Sequence, residues 1–488
     1  MMLQLARVAG TRLRRGMAVP PDICPMTNRG QRDTLFYTLT IGGFSALIYA
    51  VLQAGKQLEH SATVSANGNA WQDFLAALQA GLHAPLALLL AQMAVILMVA
   101  RALGWVFQKL GQPAVVGEMA AGIVLGPSLL GYYWPEVTAA LFPVKSLDNL
   151  KFLSQIGLLL FMFVVGLELD LSSLRGKAHK AVVISHASIV IPFSLGLGLA
   201  YFLYEKWAPA GVQFASFGLF MGIAMSITAF PVLARIVRDR GLTGTPLGTL
   251  VITCAAADDV TAWCLLAAVV ALVKAGSFVS ALYLVALAAL YVLLMLRGVR
   301  PLLARLVRRS PAGVLSISSL AAFFFTLVFS ALLAEVIGIH ALFGAFLAGA
   351  ILPADDHLRE TVRGKVQDVA VLLLLPLFFV FTGLRTQIGL LNTPGAWLVG
   401  GAIVAVAVAG KFLGSALAAR AVGYGWPDSL SVGALMNTRG LMELVVLNIG
   451  YDLGILGPGI FTLMVLMALV TTCMTGPALN LIQRLTAN

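Results

Sequence analysis

The chain has 488 residues, of which 60% are hydrophobic and only 11% are charged. Soluble proteins carry roughly 25% charged residues, so this composition excludes an ordinary soluble fold. The net charge of +11 would suggest nucleic-acid binding on a soluble chain, but here the basic residues cluster in short segments between apolar runs. That pattern is typical of membrane proteins oriented by their loop charges, and no nucleic-acid partner is expected.

Apolar runs of about twenty residues recur along the chain, and each is long enough to cross a hydrocarbon core of ~30 Å as a helix. The runs lack the period-two alternation of barrel strands, so we predict an all-α, polytopic transmembrane bundle surrounded by the lipid bilayer. The fourteen predicted spans are 34–54, 86–109, 114–132, 149–169, 181–204, 211–238, 245–274, 279–297, 313–337, 340–354, 366–386, 395–420, 427–450 and 457–484.

The order of these spans predicts three regions. Residues 1–33 are polar and Arg-rich and form a predicted cytoplasmic tail; a targeting segment is the alternative, because residues 1–20 contain no acidic residue. Residues 34–85 hold one extra transmembrane helix and an outside loop. Residues 86–484 form the main membrane domain of about 13 helices, and no soluble C-terminal regulatory domain is expected to follow it.

The loop charges also predict the orientation. With a cytoplasmic N-terminus, 23 of the 32 Lys and Arg residues fall in cytoplasmic segments and six fall in outside segments. This bias satisfies the positive-inside rule. We therefore expect a multi-pass protein of the cell membrane with both termini in the cytoplasm.

Several classes of function are excluded by missing motifs. The chain has no Walker A motif and no strand–GxGxxG–helix unit, so ATP-driven transport and a nucleotide cofactor are not expected. Its four cysteines show no metal-ligand spacing. None of the six histidines is paired at i, i+4 with a carboxylate in a span, which argues against an enzyme. No cofactor is expected, and the energy source must be an ion gradient.

The sharpest chemical signal is a pair of adjacent carboxylates, Asp258 and Asp259, in the middle of an apolar span. A charge at that depth costs ~2.5–3.5 kcal/mol on insertion scales, so it persists where it faces a cavity or a partner. Neighbours on a helix differ by about 100° in direction, so the two carboxylates cannot share one environment. A carboxylate facing a cavity can hold a proton or a partly dehydrated cation in turn. The alternative is a pair neutralised by structural partners.

Lys411 lies in the middle of another apolar span and is the expected counter-ion of one aspartate. A buried lysine changes its protonation state readily, so it is also a candidate proton-releasing group. A purely structural salt bridge is the equal alternative, because a buried pair by itself favours neither reading.

Two spans carry interruptions. The sixth contains Pro231, which removes a backbone donor, and the thirteenth contains Asn437 and Gly440 beside the charged Arg439. The two spans are seven apart in chain order and therefore run in opposite directions. Corresponding interrupted helices predict an inverted repeat with an ion site between them; ordinary Pro and Gly kinks are the alternative.

Arg439 and Glu443 are four residues apart in the thirteenth span. On a helix they share a face, so we expect them to neutralise each other or a nearby half-helix end.

Several segments resemble the monovalent cation:proton antiporters of the second branch, which includes Kef-type potassium efflux systems, NapA-type exchangers and the plant cation/proton exchangers. The resemblance runs from about residue 86 to 484. The matching segments are 111–118 (GQPAVVGE), 122–127 (GIVLGP), 160–170 (LFMFVVGLELD), 226–233 (SITAFPVL), the Asp258-Asp259 pair, 344–349 (GAFLAG) and 437–450 (NTRGLMELVVLNIG).

The resemblance implies a homodimer with a dimerisation domain and a core domain that moves like an elevator. It implies that Asp259 is the carrier carboxylate and ligand of the monovalent cation, that Asp258 is its partner, and that Lys411 pairs with Asp258. It also implies that Ser226 and Thr228 line the site.

The predicted function is secondary antiport of Na⁺ or K⁺ against H⁺, and the alternative is a cation channel or gated potassium efflux pathway of the same fold. The ion stays open on sequence grounds. The segment 437–440 is closest to the plant exchangers, which favour potassium, whereas the paired aspartates with Lys411 also suit sodium-type exchange. Kef-type proteins carry a nucleotide-binding domain after the membrane part, and no such domain is expected here.

Overall fold

The computed structural model describes residues 29–55, 70–82, 84–168, 178–275, 278–308, 316–353 and 355–486. Most of the predicted tail, residues 56–69 of the predicted outside loop and the end of the predicted segment 160–170 lie outside these ranges. The chain divides into two compact units, Met1–Gln79 and Ala80–Asn488. Every regular element in the described ranges is helical, so the all-α fold class is confirmed.

Twenty helices carry the architecture of the described residues, besides the short helices Leu130–Tyr133 and Pro135–Leu141. The chain begins with α1 (Arg29–Gly55) and α2 (Ala70–Leu82). The next seven are α3 (Pro85–Lys109), α4 (Ala114–Leu125), α5 (Leu147–Glu168), α6 (Ala178–Trp207), α7 (Phe214–Ser226), α8 (Phe230–Asp239) and α9 (Pro246–Ala275). Then follow α10 (Phe278–Leu294), α11 (Arg300–Arg308), α12 (Ile317–Ile337), α13 (Ala341–Ala350), α14 (Asp356–Asp368) and α15 (Leu375–Leu384). The last five are α16 (Pro394–Val408), α17 (Gly414–Ala421), α18 (Trp426–Met436), α19 (Leu441–Asp452) and α20 (Pro458–Thr486).

Three helix pairs continue through π-helical turns, at Met295–Val299, Val369–Leu374 and Ala409–Leu413. Within the described ranges, 12 helical stretches are long and apolar enough to cross a membrane, and α18 with α19 adds a thirteenth that is bent by 42°. The predicted span 340–354 contains a shorter helix than expected, because α13 has only 10 residues. At 1.5 Å per residue, a helix of that length covers about half of the hydrocarbon core.

Glycines reveal an internal repeat. In α4, Gly117 and Gly122 are five apart, and in α13 the same spacing separates Gly344 and Gly349. The first glycine of each pair lets the helix approach the preceding helix closely: a Cβ on Gly117 would collide with the backbone of α3, and a Cβ on Gly344 with the backbone of α12.

The second glycine of each pair meets a helix of the other half. A Cβ on Gly122 would lie 2.8 Å from the Cα of Gly383 in α15, and a Cβ on Gly349 would collide with the backbone of α5 beside Gly166. The two halves therefore exchange contacts as a two-fold arrangement requires. Small residues at these positions allow the close backbone approach that is common between membrane helices.

The helices of the second unit pack as two groups. We call α6–α9 and α16–α20 the core group, and α3–α5 and α12–α15 the scaffold group, because the extensive helix pairings lie within these sets. α10 and α11 connect them, contacting α9 on one side and α12 on the other. Apolar side chains fill much of the boundary; for example, Trp263 of the core group stacks on Phe346 of the scaffold group.

Two discontinuous helices cross inside the core group. α7 and α8 are separated by residues 227–229, and α18 and α19 by residues 437–440. α7 shares one hydrophobic cluster with α19, while α8 shares another with α18. The first half of one helix thus lies with the second half of the other, so the helices run in opposite directions. The expected inverted repeat with two crossing discontinuous helices is confirmed.

Candidate functional site

The two breaks, residues 227–229 and 437–440, contact each other where the discontinuous helices cross. The backbone N–H of Ala229 donates to the carbonyl of Thr438 at 3.1 Å. Pro231 lies in the first turn of α8, where its missing N–H removes no helical hydrogen bond. A Cβ on Gly440 would lie 3.1 Å from Val232 Cγ2, so glycine allows the segments to cross this closely. The Oδ1 of Asn437 is buried and has no hydrogen-bond partner among the residues with described positions.

Asp258 is buried and receives hydrogen bonds from four side chains. Ser185 donates to Oδ1 at 2.6 Å, and Ser188 and Thr228 donate to Oδ2 at 2.6 and 2.7 Å. Lys411 Nζ lies 3.1 Å from the same Oδ2. These donors come from α6, from the break between α7 and α8, and from the π-helical turn before α17. The carboxylate is therefore both neutralised and fixed in position.

Lys411 is equally saturated. Its ammonium donates to the carbonyls of Ser188 and Ser226 at 2.9 and 2.5 Å, in addition to Asp258. Three acceptors match the three hydrogens of an ammonium group. The preceding Gly410 brings this turn against α6, since a Cβ there would lie 2.8 Å from Pro192 Cα. Lys411 thus joins α6, α7 and α9 at one point.

Asp259 has the opposite surroundings. Its side chain is 2% exposed, yet neither carboxyl oxygen has a hydrogen-bond partner within the part of the chain that the structure describes. An isolated buried carboxylate is costly unless it is paired or neutralised. A proton or a bound cation would supply that neutralisation; Asp258 carries a charge of the same sign, and the ammonium hydrogens of Lys411 are donated to other acceptors.

The two polar residues of the first discontinuous helix contribute differently. The hydroxyl of Thr228 contacts Asp258, as described above. The hydroxyl of Ser226 instead donates to the carbonyl of Ile223 in its own helix at 2.9 Å. Ser226 therefore reaches the site through its backbone carbonyl, which accepts from Lys411.

Arg439 and Glu443 lie together beside the crossing. Arg439 donates to the carbonyls of Ala224 and Met225 at 2.8 and 2.6 Å. These are terminal carbonyls of α7, where a positive charge is favourable. A carboxyl oxygen of Glu443 lies 3.4 Å from Arg439 Nη1, close enough for an ion pair but without a hydrogen bond.

Sequence reasoning missed Ser185 and Ser188. They are three residues apart on α6, and both donate to Asp258. Two hydroxyls at this spacing lie on one face of a helix, so such a pair in an apolar span is the signal that would have indicated them.

The chain resembles known membrane proteins. A sequence model of the family described as "Sodium/hydrogen exchanger, transmembrane" matches residues 94–483. The Na⁺/H⁺ antiporter NhaS4 of Synechocystis is 44% identical over 394 residues, which cover 80% of this chain and 96% of that protein.

Longer relatives also match. Cation/H⁺ antiporter 17 of Arabidopsis thaliana is 40% identical over 394 residues, covering 80% of this chain and 48% of that protein. K⁺/H⁺ antiporter 1 of Saccharomyces cerevisiae is 32% identical over 411 residues, covering 82% of this chain and 46% of that protein. The chain thus spans about half the length of the plant and yeast relatives.

A solved structure shares the fold. The sodium/proton antiporter MjNhaP1 of Methanocaldococcus jannaschii at pH 8 aligns with a TM-score of 0.63, covering 83% of this chain and 100% of that one. The identity of 15% limits this likeness to the fold itself.

Proposed function

The chain belongs to the transmembrane sodium/hydrogen exchanger family, and we propose that Asp259 is the group at which it exchanges a monovalent cation for protons. It is a multi-pass transporter and not an enzyme. Residues 86–484 form the exchanging domain in this proposal, and residues 34–85 hold an extra transmembrane helix and an outside loop.

One observation carries the proposal: two adjacent carboxylates differ completely in their partners. Asp258 is held by three hydroxyls and Lys411, so its charge is already compensated. Asp259 is buried without a partner of its own among the described residues. A proton and a partly dehydrated cation would both neutralise Asp259, but each excludes the other. This competition couples cation movement to proton movement, which is the basis of exchange.

The arrangement also supports alternating access. The side chains that donate to Asp258 belong to the core group, as does α9 itself, so a displacement of that group carries both aspartates with it. We propose that the core group slides against the scaffold group like an elevator, with α10 and α11 as the connection. Asp259 would then face the two sides of the membrane in turn.

The assembly and the orientation belong to the same proposal. The scaffold group forms the interface of a homodimer, and exposed apolar residues such as Leu282, Leu290 and Leu294 on α10 contact the lipid bilayer. The charge bias of the loops supports a cell-membrane protein with both termini in the cytoplasm. The transported ion is Na⁺ or K⁺; the Synechocystis relative is named for sodium and the yeast relative for potassium.

The test is ion-coupled proton flux in proteoliposomes. With an imposed pH gradient, addition of Na⁺ or K⁺ should dissipate the proton gradient, and the same protein with Asp259→Asn should not. Comparison of Na⁺, K⁺ and Li⁺ at several pH values identifies the ion. An ohmic cation current without proton movement would show that the protein is a channel and not an antiporter. Unimpaired exchange by the Asp259→Asn variant would refute the role of Asp259.

A further inference from the structure

One carboxylate of the core group bridges two cations of the scaffold group. Asp452 is the last residue of α19, and its Oδ2 lies 3.1 Å from Lys151 Nζ on α5. Its Oδ1 lies 2.8 Å from Arg385 Nη2, directly after α15. These ion pairs connect the two groups at one face of the bundle, which we call the Asp452 face.

Arg385 extends this connection. Its Nη1 donates to Asn448 Oδ1 at 3.0 Å, one turn before Asp452 on α19. Asn448 in turn donates to Thr382 Oγ1 of the scaffold group at 2.8 Å. The guanidinium also lies over the ring of Tyr451, 5.1 Å from its centroid. The polar contacts are therefore concentrated along the α15–α19 boundary.

A narrow cavity of about 30 Å³ lies at this cluster. Lys151, Arg385 and Asp452 line it together with apolar side chains such as Leu158 of the scaffold group and Val445 of the core group. Leu158 is 3% exposed and belongs to the main hydrophobic cluster. The cavity therefore ends in packed apolar side chains instead of continuing as an open path.

The boundary between the two groups differs at the other end of α4. Gln112 precedes that helix, whereas Lys151 follows it. There an apolar cavity of about 760 Å³ lies between α3 and α4 of the scaffold group and α20 of the core group. A hydrogen bond from Gln112 Nε2 to the carbonyl of Cys473 at 3.3 Å crosses it. Ion pairs thus join the two groups at the Asp452 face, whereas the cavity beside Gln112 is lined mainly by apolar side chains.

We propose that Asp452, Lys151 and Arg385 form a latch that closes the Asp452 face and controls from which side of the membrane ions reach Asp259. The inference rests on the proposed alternating access. If the core group moves along the scaffold group, Asp452 must separate from both cations. The side chains of Lys151, Asp452 and Arg385 are 29%, 31% and 16% exposed, so water and salt weaken the pairs and leave the latch reversible.

Thiol labelling tests the latch without requiring transport. In a protein whose four native cysteines are replaced, Leu158→Cys places a reporter thiol in the cavity. Asp452→Ala should raise its labelling rate by a membrane-impermeant thiol reagent, applied at the Asp452 face, by roughly fivefold, as the loss of a small ion-pair network implies. Lys145→Ala is the matched control, since Lys145 precedes α5 and has no ion pair among the described residues. Equal labelling with and without Asp452 would overturn the latch.

Transport kinetics separate gating from a general loss of stability. The apparent affinity on each side scales with the fraction of protein open to that side. Asp452→Ala should therefore lower the half-saturating cation concentration at the Asp452 face and raise it at the opposite face. A general loss of stability would leave both concentrations unchanged.

A conservative substitution provides the rescue. Asp452→Glu keeps a carboxylate beside both Lys151 and Arg385 and should keep labelling and both half-saturation values close to those of the unmodified protein. Failure of this rescue would contradict the latch. Loss of the Asp259 mechanism would leave the labelling result unaffected, so the two proposals fail independently.

Discussion

Asp258 and Asp259 are adjacent in α9, but their side chains lie in contrasting environments on two sides of the helix. The Asp258 side is a closed network in which hydroxyls and an ammonium occupy the carboxylate oxygens. The Asp259 side is as deeply buried but offers its carboxylate no donor in the described structure. The comparison shows that a helix can place a structural and a functional acid next to each other, because about 100° of rotation separates them.

The largest expected effect comes from removing the charge of Asp259. Asp259→Asn should reduce cation-dependent proton flux to the level of empty liposomes, because a neutral amide takes up no proton and has no negative charge to hold a cation. Its melting temperature in detergent should not fall, because the carboxyl oxygens make no hydrogen bonds that the substitution would break.

Asp258→Asn is the matched control for that measurement. It has the same chemistry one residue earlier, but it leaves Lys411 buried without its counter-charge. The melting temperature should fall clearly for Asp258→Asn only. Equal melting temperatures for the two variants would contradict the assignment of a structural role to Asp258 alone.

Removing Lys411 should produce the next largest effect, on stability. Lys411→Ala leaves Asp258 charged in a dry interior, and breaking one side of a buried pair costs about 3–5 kcal/mol. Thermal unfolding in detergent measures this loss. The double variant Asp258→Asn with Lys411→Gln removes both charges and should be more stable than Lys411→Ala alone. Additive losses would mean that the two groups do not form an interacting pair.

Much of this architecture could be predicted from the sequence because hydropathy and interrupting residues determine it. The spans and the two breaks followed from apolar runs and from Pro231, Asn437 and Gly440, and the family expected from the motifs is confirmed. Helix length within an apolar run could not be predicted: α13 ends at Ala350, although apolar residues continue to 352.

The hydrogen-bond partners within the site were harder to predict from the sequence. An acid in a membrane span predicts a partner without identifying it, because the partners of Asp258 lie 30 to 153 positions away in the chain. Hydroxyls such as Ser188 are common in apolar helices and become informative only when packing brings α6 against α9. Likewise, the link between Asp452 and Arg385 depends on how the core and scaffold groups meet.

A smaller effect is expected at Thr228, whose hydroxyl donates to Asp258. Thr228→Val keeps the shape and removes one hydrogen bond to a charged group, which costs about 1.5–3 kcal/mol. Thermal unfolding should show this loss while exchange activity persists, since the other donors to Asp258 remain. Complete loss of exchange would mean that Thr228 contacts the transported ion itself.

The smallest effect is expected at Ser226, only two residues earlier. Its hydroxyl bonds to Ile223 of its own helix, and only its backbone carbonyl meets Lys411. Ser226→Ala keeps that carbonyl and removes one neutral hydrogen bond, so the stability loss should be about 0.5–1.5 kcal/mol and the cation dependence of exchange should be unchanged. Measured beside Thr228→Val, it separates the contribution of the backbone from that of the side chains at the break. A strong loss of cation affinity in Ser226→Ala would show that its hydroxyl turns toward the ion during transport.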